Sequence, residues 1–172
     1  MNIWSYLVLL VIVGIVAFFR SRKLKSQGLI RNQGSDFGYS RYFYTLRSVS
    51  YSDIMNALEA IDFSSIKCPK LMFNFDDTEN CILVSDSNRM LPWNAKLFLV
   101  GDNGMHCQYA FNFISYPEAI PQGMMIFHTA LEKMFLEFDW DTVVESKLLK
   151  TKTKTRMSLL MPTTNGRIEV IE

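Results

Sequence analysis

The sequence predicts an α+β fold. An N-terminal single transmembrane helix precedes an antiparallel sheet with a long helix packed on one face and a possible C-terminal hairpin. Three observations predict it. No charged side chain occurs before Arg20, and Arg22, Lys23, Lys25 and Arg31 follow closely. Short segments between residues 39 and 113 alternate in polarity with the period of two that strands require. Residues 121–138 instead place apolar side chains at helical spacing.

The apolar run comes first. Residues 3–19 are 17 in number. At about 1.5 Å per residue they span roughly 26 Å, close to a hydrocarbon core of about 30 Å. Trp4 and Tyr6 sit near one end, where amphipathic rings favour the headgroup zone. A cleaved signal peptide needs a positive leading region and a small-x-small cleavage site. Ala17-Phe18-Phe19-Arg20 offers no such site. An uncleaved anchor is therefore expected at residues 1–19. The five cations that follow, with no acid before Asp36, place the larger part of the chain on the cytoplasmic side of a plasma (inner) membrane. The short N-terminus is expected outside.

Charge is segregated behind a net of +1. Residues 36–146 carry fifteen acids against seven cations, and residues 147–172 carry six cations against two acids. An acidic domain between basic ends argues against nucleic acid, whose phosphates need a basic surface. Cys68, Cys81 and Cys107 are odd in number and widely spaced, which argues against a disulfide framework and suits a reducing compartment.

Each later element has its own signal. Residues 20–38 are polar, contain three glycines, and read as a basic juxtamembrane segment and linker. The expected domain is 39–150. Tyr42, Tyr44 and Leu46 alternate with Arg41, Thr45 and Arg47 on a first strand. Ser52 is the expected cap of a short helix carrying Ile54, Met55, Leu58 and Ile61. Leu71, Phe73 and Phe75 mark a second strand, and residues 81–85 its return after the polar turn at 76–80. Residues 96–100 and 106–113 read as a hairpin around Asn103-Gly104, since Asn-Gly supplies positive φ angles. In its second strand Cys107, Tyr109, Phe111 and Phe113 face one way.

Pro117 and Pro121 then open the long helix, with Met124, Phe127, Leu131, Met134, Phe135 and Phe138 on one face. A short helix is expected to run on to Lys150. In the tail, 151–172, strict alternation of Thr with Lys or Arg predicts a strand, with a turn at 162–166 and a return at 167–172. The order β-α-β-β-β-β-α is that of helix-grip architectures, an analogy of fold that carries no function by itself.

Candidate chemistry is sparse. There is no CxxC, HExxH, P-loop or dinucleotide-binding glycine fingerprint, and no cofactor is expected. Asp76, Asp77 and Glu79 lack the ligand spacing of a calcium loop and read as a hydrated hairpin tip. The spacing Gly101-x-x-Gly104 joins apparent strands, unlike phosphate-binding loops between helices. His106 lies on the polar side of its strand. An enzyme reading has only Cys107 and His128 to work with, because both could face the layer between sheet and helix.

Binding is the stronger expectation. Met125, Ile126 and Leu136 lie off the main apolar face of the long helix and form the expected contact for a protein partner. A protein-interaction domain acting as an accessory or scaffold follows. Arg20, Arg22, Lys23, Lys25, Lys150, Lys152, Lys154 and Arg156 are the expected cations at the surface of the lipid bilayer. The alternative is a tethered domain that binds a lipid or small apolar ligand. Its cavity would be lined by Tyr42, Tyr44, Phe73, Phe75, Tyr109, Phe111, Phe127 and Leu131.

Overall fold

The computed structural model describes residues 3–28, 36–66, 68, 71–87, 91–158 and 161–171, with side chains except at 3–5, 17, 20–21, 36, 151–167 and 169–171. The chain divides into two units, Met1–Arg31 and Asn32–Glu172.

The first unit is one helix, α1 (Ile3–Ser26). It continues through the basic flank instead of stopping at Phe19. Residues 20–26 are Arg, Ser, Lys and Leu, which contain no helix breaker. Gly28 ends it with φ 65°, donating its N–H to the Lys25 carbonyl at 2.9 Å. Among the described residues no helix is long and apolar enough to cross a membrane.

The second unit opens with a 3-10 turn (Asp36–Gly38) and β1 (Tyr39–Thr45). α2 (Tyr51–Ala60), β2 (Leu71–Asp76), β3 (Cys81–Asp86), β4 (Trp93–Asp102), β5 (Cys107–Pro117) and α3 (Gln122–Phe138) follow. The chain closes with β6 (Val143–Leu148), β7 (Lys150–Ser158) and β8 (Met161–Ile171). Through α3 this is the order the sequence predicts. The strands form one antiparallel sheet in the order β2-β3-β4-β5-β1-β6.

β5 is long enough to serve two partners along one edge. β1 pairs with residues 107–111 and β8 with residues 115–117. β6 and β7 lie outside them, pairing with β1 and β8 in turn. The junction is closed by the Leu149 N–H on the Gly38 carbonyl at 2.9 Å.

Three local expectations are corrected. Ser50, not Ser52, caps α2. Its hydroxyl accepts from the Asp53 N–H at 3.2 Å, while the Asp53 carboxylate accepts from the Ser50 N–H at 3.0 Å. The expected helix after Asp139 is strand β6. Val143 and Val144 favour a strand, and β1 would otherwise leave its outer N–H and C=O groups unpaired. The C-terminal hairpin forms, but β8 runs through 162–166, and Ser158 pairs with Met161.

The largest correction concerns β1. Phe43 is buried, and its ring stacks on Phe135 of α3 at 4.2 Å with an interplanar angle of 7°. Arg41 and Thr45 share that inner side by alternation. Tyr42 and Tyr44 face the other way and are half-buried. Apolar residues occur on both sides of this strand, so alternation alone does not select the inner one. A tyrosine keeps its hydroxyl wet on the outer face, whereas Phe43 has no polar atom to leave there.

β5 follows expectation. Tyr109, Phe111 and Phe113 are buried on the α3 side. Phe127 lies at the centre, with ring centroids of Phe111, Trp93, Phe63 and Phe73 at 5.6, 5.7, 6.0 and 6.1 Å. α2 packs beside α3 through buried Ile54 and Leu58.

Phe43→Ala is expected to lower stability by about 3–5 kcal/mol, the usual cost of emptying a buried aromatic site. Tyr42→Ala on the outer face is expected to cost about 1 kcal/mol or less. Chemical denaturation of the full-length protein in detergent checks both, and equal losses would reverse the assignment of faces.

Candidate functional site

The end of the sheet at the C-terminus of β1 is organised by one carboxylate. Asp139 terminates α3, donating its N–H to the Phe135 carbonyl at 3.1 Å. Its Oδ2 accepts from the Leu46 N–H at 2.5 Å, and its Oδ1 from the Asp141 N–H at 3.1 Å. Thr142 donates its hydroxyl to the Asp139 carbonyl at 2.7 Å and its N–H to the same oxygen at 3.0 Å. A buried side chain thus pins the exit of β1 to the exit of α3. Asp139 is thus the C-cap of α3. Trp140, next in sequence, is turned outward.

The β4–β5 loop lies at the same end. Asp102 pairs with Cys107, which also pairs with Thr45 of β1. The loop is longer than a two-residue Asn-Gly turn. Asn103 Oδ1 accepts from the N–H groups of Met105 and His106 at 3.1 and 2.7 Å, and Asp102 Oδ1 from Gly104 at 2.7 Å. Gly104 holds φ 80°, where a β-carbon would be strained. Leu46, Asp102, Asn103, His106 and Gln108 line an open depression between loop and strand.

Five large apolar side chains gather around this end. Leu46, Val100, Met105, Trp140 and Val143 are 48–81 % exposed. Single exposed apolar residues are ordinary, but a group at one end of a sheet is not. Asp102 and Asp141 are exposed among them. Alternation and helical spacing do not reveal this set, because Leu46, Met105 and Trp140 come from three different connections and Val100 and Val143 from two strands. The one sequence signal is Trp140 itself, a large ring between two aspartates in a turn.

The residues expected to meet a partner lie elsewhere. Ile126 is 1 % exposed and belongs to the core, and Met125 and Leu136 are half-buried. The buried arc of α3 also takes in His128 and Thr129, wider than a single apolar stripe. Ile126 therefore presents no surface. Of the expected membrane-surface cations, Arg22, Lys23, Lys25 and Lys150 are exposed. Arg20, Lys152, Lys154 and Arg156 have side chains outside the described residues.

Cys107 and His128 are not brought together as a pair. Cys107 Sγ lies 2.8 Å from Thr45 Oγ1 and 3.4 Å from the Arg47 carbonyl. His128 packs against Phe37, Phe111 and Phe113 and accepts a hydrogen bond at Nε2 from Arg41 Nε at 3.0 Å. Cys107 and Phe111 are four residues apart on β5, or about 13 Å along the strand.

Burial pushes the Cys68 thiol up to about 12, with Asp86 adding to it, and raises Cys81 as well. Neither is poised as a nucleophile at neutral pH. Of the expected cavity residues, Phe73, Tyr109, Phe111 and Phe127 contact other rings, and Tyr42 and Tyr44 lie on the opposite face. Among the described residues no group of three or more His, Cys, Asp or Glu gathers to hold a metal. No family model matches the chain, and no curated protein or solved structure matches it.

Burial, and secondarily the Arg41 guanidinium, lowers the His128 pKa from 6.5 to about 3. The folded state keeps this imidazole neutral while the unfolded chain protonates it below pH 6.5. Its contribution to stability is complete above pH 6.5 and shrinks by about 1.4 kcal/mol per pH unit as pH falls toward 3. Unfolding free energies measured across that window are expected to fall more steeply for the parent than for His128→Gln. Parallel curves would place the proton uptake elsewhere.

Proposed function

We propose that this chain is a single-pass membrane protein whose domain binds another protein through the Leu46–Met105–Trp140–Val143 end of its sheet. It is an accessory or scaffold subunit in this reading. The exposed apolar end carries the proposal. Water is a poor neighbour for Trp140, Met105 and Leu46, and association removes that contact. Tryptophan surrounded by smaller apolar groups is the composition of an interface centre. The partner chemistry follows. An aliphatic or aromatic side chain would enter the depression, with Lys or Arg beside it to meet Asp102 and Asp141.

The anchor reading rests on α1. Its 24 residues extend about 36 Å, and its first 17 carry no charge. Twelve large apolar side chains between Tyr6 and Phe19 are 49–67 % exposed. Consecutive exposed residues cover every face of a helix, so no single amphipathic contact would bury them. Leaving them in water would cost on the order of 20 kcal/mol. The basic flank supports a cytoplasmic domain, and three free cysteines are compatible with a reducing compartment.

Two outcomes are expected. Protease added outside intact cells should leave residues 36–171 uncut, and digestion there would sink the topology. A photoreactive residue at position 140 of the full-length protein in its native membrane should crosslink one defined protein. Met105→Glu with Trp140→Glu should then reduce co-purification of that protein by at least tenfold. The unfolding midpoint should stay within a few degrees of the parent, because both sites are exposed. Retained co-purification by the folded double variant would reject this surface.

A further inference from the structure

β6 is an edge strand. It ends the order β2-β3-β4-β5-β1-β6, and among the described strands it pairs only with β1. Residues 145–148 are exposed, Leu148 by 68 %. Natural sheets blunt such an edge with proline, a bulge or charges, because its unpaired backbone groups recruit another strand. β6 holds no proline, and its register with β1 runs without a break. Its charged residues are Glu145 and Lys147, of opposite sign.

The backbone groups that face this edge follow from one hydrogen bond. Leu149 donates its N–H to the Gly38 carbonyl at 2.9 Å. Gly38 and Leu149 continue the β1–β6 register, in which Tyr39 stands opposite Leu148. In an antiparallel ladder, hydrogen-bonded residues alternate along each strand. Residues 143, 145, 147 and 149 therefore turn their N–H and C=O groups toward β1. Val144, Ser146 and Leu148 turn theirs outward.

The strand is complementary to itself. Val144-Glu145-Ser146-Lys147-Leu148 reads apolar, acid, serine, base, apolar. A second copy running antiparallel about a two-fold axis at Ser146 sets Glu145 opposite the partner's Lys147 and Val144 opposite the partner's Leu148. Outward-facing residues then meet outward-facing residues, so Val144, Ser146 and Leu148 all exchange hydrogen bonds across the axis. Opposite charges in directly opposed positions stabilise a strand pair, and like charges destabilise it. A slip of two residues one way sets Glu145 against the partner's Glu145. A slip the other way sets Lys147 against the partner's Lys147. Charge thus selects the register centred on Ser146. Glu145 and Lys147 also border an open depression of about 380 Å³ with Tyr42, Tyr44 and Gln108. Tyr44 donates its hydroxyl to Glu145 Oε2 at 3.2 Å, and the depression leaves room beside that carboxylate for an incoming lysine.

We infer that β6 is a homodimer interface: two copies of this chain join edge to edge, antiparallel about Ser146, into one continuous sheet. The contact is isologous, and its axis is perpendicular to the sheet, so both α3 helices lie on the same side of it. This goes beyond the protein-binding reading of the apolar end and does not rest on it. The two surfaces share only Val143.

The test uses the full-length protein in detergent. Sedimentation at rising concentration should show a monomer–dimer equilibrium. Glu145→Lys should weaken it about tenfold or more, because each attractive pair across the axis becomes repulsive. Lys147→Glu should do the same. Glu145→Lys with Lys147→Glu restores opposite charges and should restore the dimer, which separates charge from folding. Ser146→Cys reads the register. Opposed hydrogen-bonded residues have α-carbons about 5.5 Å apart, within reach of a disulfide. Mild oxidation should therefore give a covalent dimer of Ser146→Cys. Glu145→Cys should give far less, since its own copy lies diagonally at about 7–8 Å. The native cysteines are buried and set a low background.

A chain that stays monomeric at every concentration overturns the inference. A dimer that both single charge variants leave intact does so too, and that is the pattern association through α1 would give. Glu145→Cys crosslinking as readily as Ser146→Cys rejects the register. Met105→Glu with Trp140→Glu should dimerise as the parent does. Loss of the dimer in that variant would move the contact from β6 to the apolar end.

Discussion

The second unit depends on one contact layer, the aromatic slab between α3 and the sheet. Phe127 is met by rings from β2, β4 and β5 and from the segment after α2. Phe135 takes the flat face of Phe43 from β1. Aromatic rings bury large areas with few rotatable bonds, so a small number of them set the distance between helix and sheet. The rest follows from that distance. β1 must present Phe43 inward, and Tyr42 and Tyr44 must turn outward. α2 must lie beside α3 because the sheet already occupies the face beneath.

Polar groups inside this layer are held by specific partners. Arg41 lies on the inner side of β1, and its guanidinium is matched by an imidazole that stays neutral. On the outer side of the same strand Ser40 donates to Asn112. Asp139 is matched by backbone N–H groups at the end of α3. Each removes the cost of burying a polar atom without a partner. Asp139 also has a consequence beyond stability. By fixing the turn that follows α3, it directs Trp140 into solvent beside Leu46. The proposed interface is thus a by-product of how a helix ends.

The domain has two chemically different ends. The chain enters at Gly38, beside Leu149 and the start of the basic ribbon. The far end of β1 carries the apolar group and the exposed carboxylates. This polarity fits the proposed reading of a membrane-tethered binding domain, with the apolar group at the end away from where the chain enters. It also accounts for the charge segregation in the sequence, where acids concentrate in the body and cations at its borders.

Local signals carried much of the architecture. The period of two in β2 and β5, the polar turn before β3, the 3.6-residue repeat of α3 and the glycine at the β4–β5 turn are short-range properties. They placed these elements, and the β-α-β-β-β-β-α order, from sequence alone. The charge-free run of residues 3–19 and its basic flank are likewise visible without coordinates. What only tertiary structure decided depends on neighbours distant in the chain. Phe43 was chosen over Tyr42 and Tyr44 by Phe135, ninety-two positions away. Val143–Leu148 became a strand because β1 had an open edge. Ile126 was buried by packing and not left on a free helix face. Trp140 and Leu46 came to one end of the sheet because the Asp139 carboxylate bonds the Leu46 N–H. Periodicity reports which residues share a side, and only packing decides what that side will meet.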